Sequence, residues 1–287
     1  MDLFRRAVDP WGRDVLVGVA WDLMWAAIVV GALFVVAHAV LSARGRRRMA
    51  ATPAPPSPTP GIPARIVRHG WGARLFHWSM AAAMFALLIT AFVPVLGYRF
   101  DWITIHWIAG LALIATVVYH VVHALFWQRF RNVWISAQDL REGTQDLREF
   151  MANSPPPPKP GKYPVAQKLF HHVATLAALA AIATGLLMMV RIETPLFERD
   201  PYLLSDRSWG LVYALHGVAG IGLITLVIAH VYFAVRPEKR WLTRSMIKGW
   251  ITREEYLAHH DPARWPAGHP AGQAEAVPSE PAVSPRA

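Results

Sequence analysis

The chain of 287 residues is 54% hydrophobic, contains 13 tryptophans and has a mean hydropathy of +0.27. This composition indicates a multi-span membrane protein rather than an ordinary soluble domain. The chain has no cysteine, which excludes iron–sulfur clusters, disulfides, thiolate metal sites and covalently attached c-type haem. The formal net charge is +10, and we interpret the basic residues as a signal for membrane topology rather than as a surface that binds nucleic acid.

Five windows are apolar and long enough for membrane helices, since the bilayer core needs about 20 apolar residues. The basic cluster at 44–48 follows the first window instead of preceding it, so we interpret this window as a retained helix and not a cleaved signal peptide. Proline-rich stretches at 51–63 and 153–164 separate spans. The five windows are 17–42, 75–96, 103–127, 169–190 and 209–235.

Basic residues are distributed unevenly between the two sides of the predicted membrane. The segments on one side hold 20 lysines and arginines, and the segments on the other side hold seven. Because Lys and Arg accumulate in cytoplasmic loops, we expect an outer N-terminus and a cytoplasmic C-terminus. The basic segments are 43–73, 128–167 and 236–287, and the other three are 1–18, 97–101 and 191–208.

The fifth window carries His216 and His230, which lie 14 positions apart. A helix rises about 1.5 Å and turns about 100° per residue, so the two rings lie about 21 Å apart and within about 40° of the same face. Because successive spans alternate in direction, His106 is expected level with His216 on the outer side, and His77 level with His230 on the inner side. Ionisable residues at this depth face a bundle interior, where cofactors are held. Two levels of two imidazoles suit two haems, each with one His on either face of its iron.

The inner level has competing candidates. His120 also lies 14 residues after His106 and is as well placed as His77, and His123 is a further candidate. Helical periodicity leaves this choice open.

Three glycines follow the outer histidines and are predicted to leave room for a porphyrin against the backbone. Close helix packing is an equally common role for glycine in membranes. The three residues are Gly110, Gly217 and Gly220.

Several segments together resemble the gamma subunit of membrane-bound formate dehydrogenase, a di-haem cytochrome b, over about residues 66–266. The last of them, in the C-terminal tail, distinguishes this subunit from hydrogenase and thiosulfate reductase relatives that share the histidine layout. The segments read RLFHW, IHWIAG, GKYPVAQK, LHGVAGIGLITLVIAHVYFAV and SMIKGWITREEYLAHHDPARW.

The resemblance implies an all-α, multi-pass transmembrane helical bundle with a four-helix di-haem core, to which this chain adds an N-terminal transmembrane helix. The expected domains are an extra helix at 1–43, a basic and proline-rich linker at 44–65, the di-haem cytochrome b domain at 66–240 and a cytoplasmic tail at 241–287.

The resemblance also implies the site residues. Its four haem ligands correspond to His77 and His230 at the inner level and to His106 and His216 at the outer level, which favours His77 over His120. A quinone site is expected near the inner haem. The remaining candidates for haem packing, propionate pairing or quinone contact are Arg74, Lys162, Tyr163 and Gln167, beside Pro164, where relatives commonly have asparagine.

The implied function is electron transfer in the bacterial inner membrane. A molybdenum or tungsten alpha subunit would oxidise formate, and an iron–sulfur beta subunit would pass the electrons through two haems b to quinone, so this chain would not act on formate by itself. The alternatives are a cytochrome b of another quinone-linked oxidoreductase, of hydrogenase or thiosulfate reductase type, a haem-free anchor, and a proton-relay transporter.

Four further histidines are interpreted without a redox role. His171 and His172 are expected at the inner membrane surface, and His259 and His260 are expected to face the cytoplasm.

Overall fold

The computed structural model describes residues 2–48, 61–127, 132–152, 155 and 157–267, which form eight α-helices and four short β-strands. The helices are α1 Asp22–Arg48, α2 Trp71–Phe92, α3 Trp102–Trp127, α4 Ala137–Ala152, α5 Val165–Met189, α6 Asp206–Val235, α7 Arg240–Lys248 and α8 Arg253–His259. The strands are β1 Phe4–Val8, β2 Asp14–Val19, β3 Arg65–Val67 and β4 Trp250–Thr252.

Five of these helices are long and apolar enough to cross a membrane, with mean hydropathies of 1.9 to 2.3 over their best windows. At most 17% of each window is buried inside the protein, so the apolar side chains need a lipid surround. The predicted multi-pass helical bundle is therefore confirmed. The five helices are α1, α2, α3, α5 and α6.

Proline and serine set the ends of the core helices. Pro94 converts the end of α2 into a 3₁₀ turn, and Pro164 is the N-terminal cap of α5 with a φ of −62° that suits the start of a helix. The hydroxyl of Ser205 accepts a hydrogen bond from the amide of Ser208 and caps α6. Helix α6 ends before Pro237, which cannot continue it.

The first predicted span begins too early. Residues 17–19 belong to β2, which pairs antiparallel with β1, and α1 begins at Asp22. Asp9 forms the turn between the strands, since its carboxylate accepts hydrogen bonds from the amides of Trp11 and Arg13. The β-branched valines of β2 run directly into the apolar helix, so hydropathy alone merged the two elements.

The hairpin and α1 pack along α6. A Cβ at Gly210 would lie 2.1 Å from the carbonyl oxygen of Leu16, and one at Gly217 would lie 2.6 Å from Val19 Cγ2. Further inward, His38 Nδ1 lies 3.0 Å from the Tyr232 hydroxyl. These contacts place the N-terminal unit against the N-terminal half of α6 and extend to the C-terminal end of that helix.

The C-terminal tail folds back onto the end of the bundle where α2 begins. Strand β4 pairs with β3, which directly precedes α2, and Ile251 and Tyr256 are fully buried against Ile66. Helix α8 starts with a capping box, in which Thr252 accepts from the amide of Glu255 and the Glu255 carboxylate accepts from the amide of Thr252. The tail is therefore a packed part of the fold.

Candidate functional site

The outer histidines come together between two core helices. His106 near the start of α3 and His216 in α6 have ring centroids 6.2 Å apart, with ring planes at 70°. Because α3 and α6 are the third and fifth spans, they run in the same direction, and both residues lie in the N-terminal halves of their helices at the same level, as the alternation of spans predicts.

A threonine on a neighbouring helix holds each outer ring. Thr90 Oγ1 lies 2.8 Å from His106 Nδ1, and Thr184 Oγ1 lies 2.9 Å from His216 Nδ1. Each hydroxyl donates its hydrogen to a carbonyl of its own helix, Ala86 at 2.7 Å and Ala180 at 2.6 Å. The hydroxyl oxygen therefore accepts from Nδ1–H of the imidazole, which leaves Nε2 deprotonated and available to a metal.

The inner pair has different surroundings. His77 in α2 and His230 in α6 have ring centroids 6.0 Å apart. The ring of Phe170 stacks on His230 at 5.1 Å. His77 Nδ1 is buried and has no hydrogen-bond partner among the residues that the structure describes.

His120 lies elsewhere at the inner level. Its ring stacks on Phe76 at 4.0 Å and is 6.1 Å from His171, which is on α5. His123 stacks on Tyr119. The structure thus brings His77 beside His230 and His120 beside a histidine that the sequence analysis assigned to the membrane surface.

The spacing of both predicted pairs would allow each pair to hold one haem iron. Two imidazoles that share a metal, each with a nitrogen about 2 Å from it, have ring centres at most about 6.4 Å apart. The measured separations of 6.0 and 6.2 Å agree with this value.

Two of the three predicted glycines leave space beside the outer pair. A Cβ at Gly110 would meet nothing within 4 Å, and one at Gly220 would meet only Phe92 Cζ at 4.0 Å. Both lie one helical turn after a histidine of the outer pair, on the same face. Gly217 was predicted wrongly, because it faces Val19 and the hairpin. Gly185, which the sequence analysis missed, faces the site, since its Cβ would lie 3.3 Å from His216 Cε1.

The other predicted residues gather at the inner end of the bundle. Arg74 Nη1 donates to the carbonyl of Ile247 at 2.7 Å, and its Nε is buried without a partner in the described chain. Lys162 Nζ lies 5.3 Å from the ring centre of Tyr163, whose ring is 6.4 Å from that of His69. Gln167 Oε1 lies 3.4 Å from a guanidinium nitrogen of Arg68.

Arg68 organises this inner region and was missed by the sequence analysis. The side chain is 1% exposed, and it donates to the carbonyl of Lys162 at 2.9 Å and to His260 Nε2 at 2.8 Å. Burial lowers the pKa of Arg68 to about 10, and burial with the nearby Arg68 charge lowers the pKa of His260 to about 4. The expectation that His260 faces the cytoplasm was wrong, because its Nδ1–H donates to the carbonyl of Gly161 and the residue is 1% exposed.

The signals for the missed residues were weak in the sequence. Thr90 and Thr184 are hydroxyl residues in apolar spans that also contain Ser79 and Thr175, and such residues often bond only to their own helix. Arg68 stands in a basic segment and so was counted as a topology signal.

Comparisons with known proteins identify the family of the chain. Residues 68–249 match the family model of prokaryotic cytochrome b561. The chain is also 25% identical over 215 residues to a curated protein of Haemophilus influenzae, named formate dehydrogenase, cytochrome b556 subunit, a match that covers 70% of this chain and 82% of the relative.

These matches confirm the resemblance inferred from the motifs. They support a membrane cytochrome b with haem b as its cofactor, and the five apolar helices agree with an inner membrane protein. The family match spans the four core helices with all four paired histidines and begins after the N-terminal hairpin and α1. The chain belongs to the prokaryotic cytochrome b561 family.

Proposed function

We propose that this chain is the di-haem electron-transfer subunit of a formate dehydrogenase complex and passes electrons across the membrane to quinone. The observation that carries the proposal is the presence of two histidine pairs with ring separations of 6.0 and 6.2 Å at two levels. Both pairs share α6, where His216 and His230 are 14 residues and therefore about 21 Å apart. This distance is a large part of the hydrocarbon thickness of about 30 Å.

Each histidine pair would hold one haem through ring nitrogens. His106 and His216 would hold the outer haem, and His77 and His230 would hold the inner one. When bound, haem b supplies one-electron chemistry at its iron. Gly110 and Gly220 leave the backbone open beside the outer pair, and Gly185 allows the ring of His216 to lie close to α5.

Quinone is reduced at the inner end, near the inner histidine pair. Forming a quinol takes up two protons with two electrons, so the site needs hydrogen-bonding groups within reach of the inner aqueous phase. Tyr163 and Lys162 lie together there, and the bond from Arg68 to the Lys162 carbonyl fixes this loop. Pro164 starts α5 and contributes no side-chain amide, so the contacts fall to Lys162, Tyr163 and Gln167.

Electrons arrive at the outer end from partner subunits. The chain has no cysteine and cannot hold an iron–sulfur cluster. An iron–sulfur beta subunit, fed by a molybdenum or tungsten alpha subunit, supplies them. The segments on one side of the membrane hold 20 lysines and arginines, and those on the other side hold seven. This difference supports an N-terminus outside and a C-terminus in the cytoplasm.

The relative from Haemophilus influenzae supports a formate dehydrogenase rather than a hydrogenase or thiosulfate reductase. Isolation of the native complex, followed by identification of the copurified subunits, tests this choice. A nickel–iron hydrogenase or a thiosulfate reductase among them would replace the formate assignment and leave the haem sites intact.

Haem stoichiometry tests the site itself. Purified protein should contain two haems per chain, both removed by acid–acetone extraction because neither is covalently attached. A ratio near one would contradict the two-site arrangement. An absence of haem would favour the anchor or the proton-relay transporter.

A further inference from the structure

We infer that Thr90 and Thr184 lower the reduction potential of the outer haem site relative to the inner site, and so favour electron transfer inward. This inference rests on the proposed haem ligation. Electron donation from the two outer imidazoles is strengthened by their hydrogen bonds to threonine, and His77 Nδ1 has no such bond among the residues that the structure describes.

The two outer bonds are built in the same way on two different helices. Thr90 is on α2 and holds the histidine of α3, whereas Thr184 is on α5 and holds the histidine of α6. Both threonines are buried, with 2% and 7% of their surface exposed. Each ring is therefore anchored from a helix other than its own, in a place that water does not reach.

The chain of donors fixes the direction of each bond. Thr90 donates its hydroxyl hydrogen to the carbonyl oxygen of Ala86 at 2.7 Å, and Thr184 donates its own to that of Ala180 at 2.6 Å. Each hydroxyl oxygen is therefore the acceptor in its bond with the imidazole. An acceptor at Nδ1–H gives the ring partial imidazolate character and raises its basicity at Nε2. A more basic ligand stabilises ferric over ferrous iron, which lowers the reduction potential.

The inner level lacks this arrangement at His77. Its Nδ1 is buried without a hydrogen-bond partner in the described chain, and its partner ligand His230 lies against the apolar ring of Phe170. The ligand set of the inner site is therefore the weaker donor. One electron that leaves the outer site and enters the inner site moves toward the higher potential, and no proton is transferred in this exchange.

The magnitude follows from the ordinary strength of a hydrogen bond. A bond with a net value of about 1 kcal/mol changes the electron-exchange equilibrium by at most about fivefold, or about 41 mV for a one-electron couple, because only the difference in its strength between the two redox states shifts the potential. Two bonds together should change this equilibrium by up to about 25-fold if their effects add.

The experiment is a spectroelectrochemical titration of the purified complex, with Thr90→Val and Thr184→Val compared with the wild type. Valine keeps the shape of threonine and removes the acceptor. We expect each variant to retain both haems and to raise the outer potential by up to about 41 mV, while the inner potential stays unchanged. Thr90→Ser, which keeps a hydroxyl, should return the potential to the wild-type value.

Thr116→Val is the matched control. The Thr116 hydroxyl also donates to a carbonyl of its own helix, that of Leu113 at 2.8 Å, and no hydrogen bond joins it to an imidazole among the described residues. The control should leave both potentials unchanged. An equal shift in this variant would overturn the inference, because the effect would then follow loss of any hydroxyl in a span.

The wild type provides a test that needs no threonine variant. The site that survives in His77→Leu identifies the outer potential, which should be the lower of the two. A higher outer potential would overturn the inference, as would unchanged potentials in both valine variants with two haems present. A wild type without haem would instead contradict the proposed function on which the inference rests.

Discussion

The open space beside Gly220 yields a sharp test of the outer haem site. An ideal Cβ at this position has Phe92 Cζ as its nearest neighbour, at 4.0 Å, so a larger side chain meets no protein atom at short range. Gly222, on the same helix, has nothing within 4 Å of its Cβ position. At about 100° per residue, Gly220 lies about 40° from His216 around the helix, and Gly222 lies about 120° from it on another face. Leucine at the two positions therefore differs mainly in whether it points toward the histidine pairs.

Gly220→Leu should weaken binding of the outer haem, and Gly222→Leu should not. Filling space that a porphyrin needs amounts to overpacking, which costs about 1–3 kcal/mol. This cost lowers the affinity about 5- to 150-fold, since about 1.4 kcal/mol corresponds to a factor of ten. Replacing a helical glycine also favours the helix by up to about 1 kcal/mol, so neither variant should lose its fold through backbone effects.

The assay is the rate at which haem moves from the purified variant to an excess of apomyoglobin, together with the haem content per chain. In Gly220→Leu one haem should leave faster while the inner haem is retained, so that the ratio tends from two toward one. Equal retention of both haems in the two leucine variants would show that the open space is not used by haem. Equal loss in both would indicate a general defect of α6.

Three other predictions concern the inner ligand, the tail and the topology. His77→Leu should remove the inner haem or convert it to high spin while His120→Leu leaves both haems low-spin, as judged by visible and electron paramagnetic resonance spectra; the reverse result would assign the ligand to His120. Because the pKa of His260 is lowered to about 4 from an ordinary value of about 6.5, the unfolded tail takes up a proton first, so docking of the tail is most stable above about pH 6.5 and weakens as the pH falls toward 4. Hydrogen exchange of residues 253–265 at pH 7.5 and pH 5, corrected for intrinsic rates, should show this loss, and equal protection at both pH values would contradict it. Reporter fusions to the three basic segments should place them all in the cytoplasm, and a periplasmic C-terminus would reverse the outer and inner assignments.

Helical periodicity was sufficient to predict the levels of the histidines. The 14-residue interval in α6 and the alternating directions of the spans depend only on helix geometry and bilayer thickness, and the four rings form the expected pairs. The choice between His77 and His120 did not follow from periodicity, because both lie at the inner level. It depends on how α2 and α3 are rotated against α6, which only side-chain packing determines.

The glycines illustrate the same limit. Gly217 directly follows His216 and therefore points about 100° away from it, whereas Gly220 points about 40° away. This difference was available from the sequence and would have separated the two roles. The packing of Val19 against Gly217 was not available, because the hairpin of 4–19 was not predicted and its last residues, 17–19, were assigned to the first apolar window. The threonine bonds were also inaccessible, because each one joins residues on different helices.

The N-terminal hairpin and α1 occupy a complete side of α6, from Leu16 at Gly210 to His38 at Tyr232. Since they are part of the same chain, their effective concentration at this surface is set by the tether and does not depend on the supply of another subunit. A membrane anchor of a partner subunit would have to displace them to reach α6 from this side. We therefore expect partner helices to contact the exposed sides of α2, α3 or α5. The side of α6 that the hairpin and α1 cover should have the same contacts in the isolated subunit and in the assembled complex.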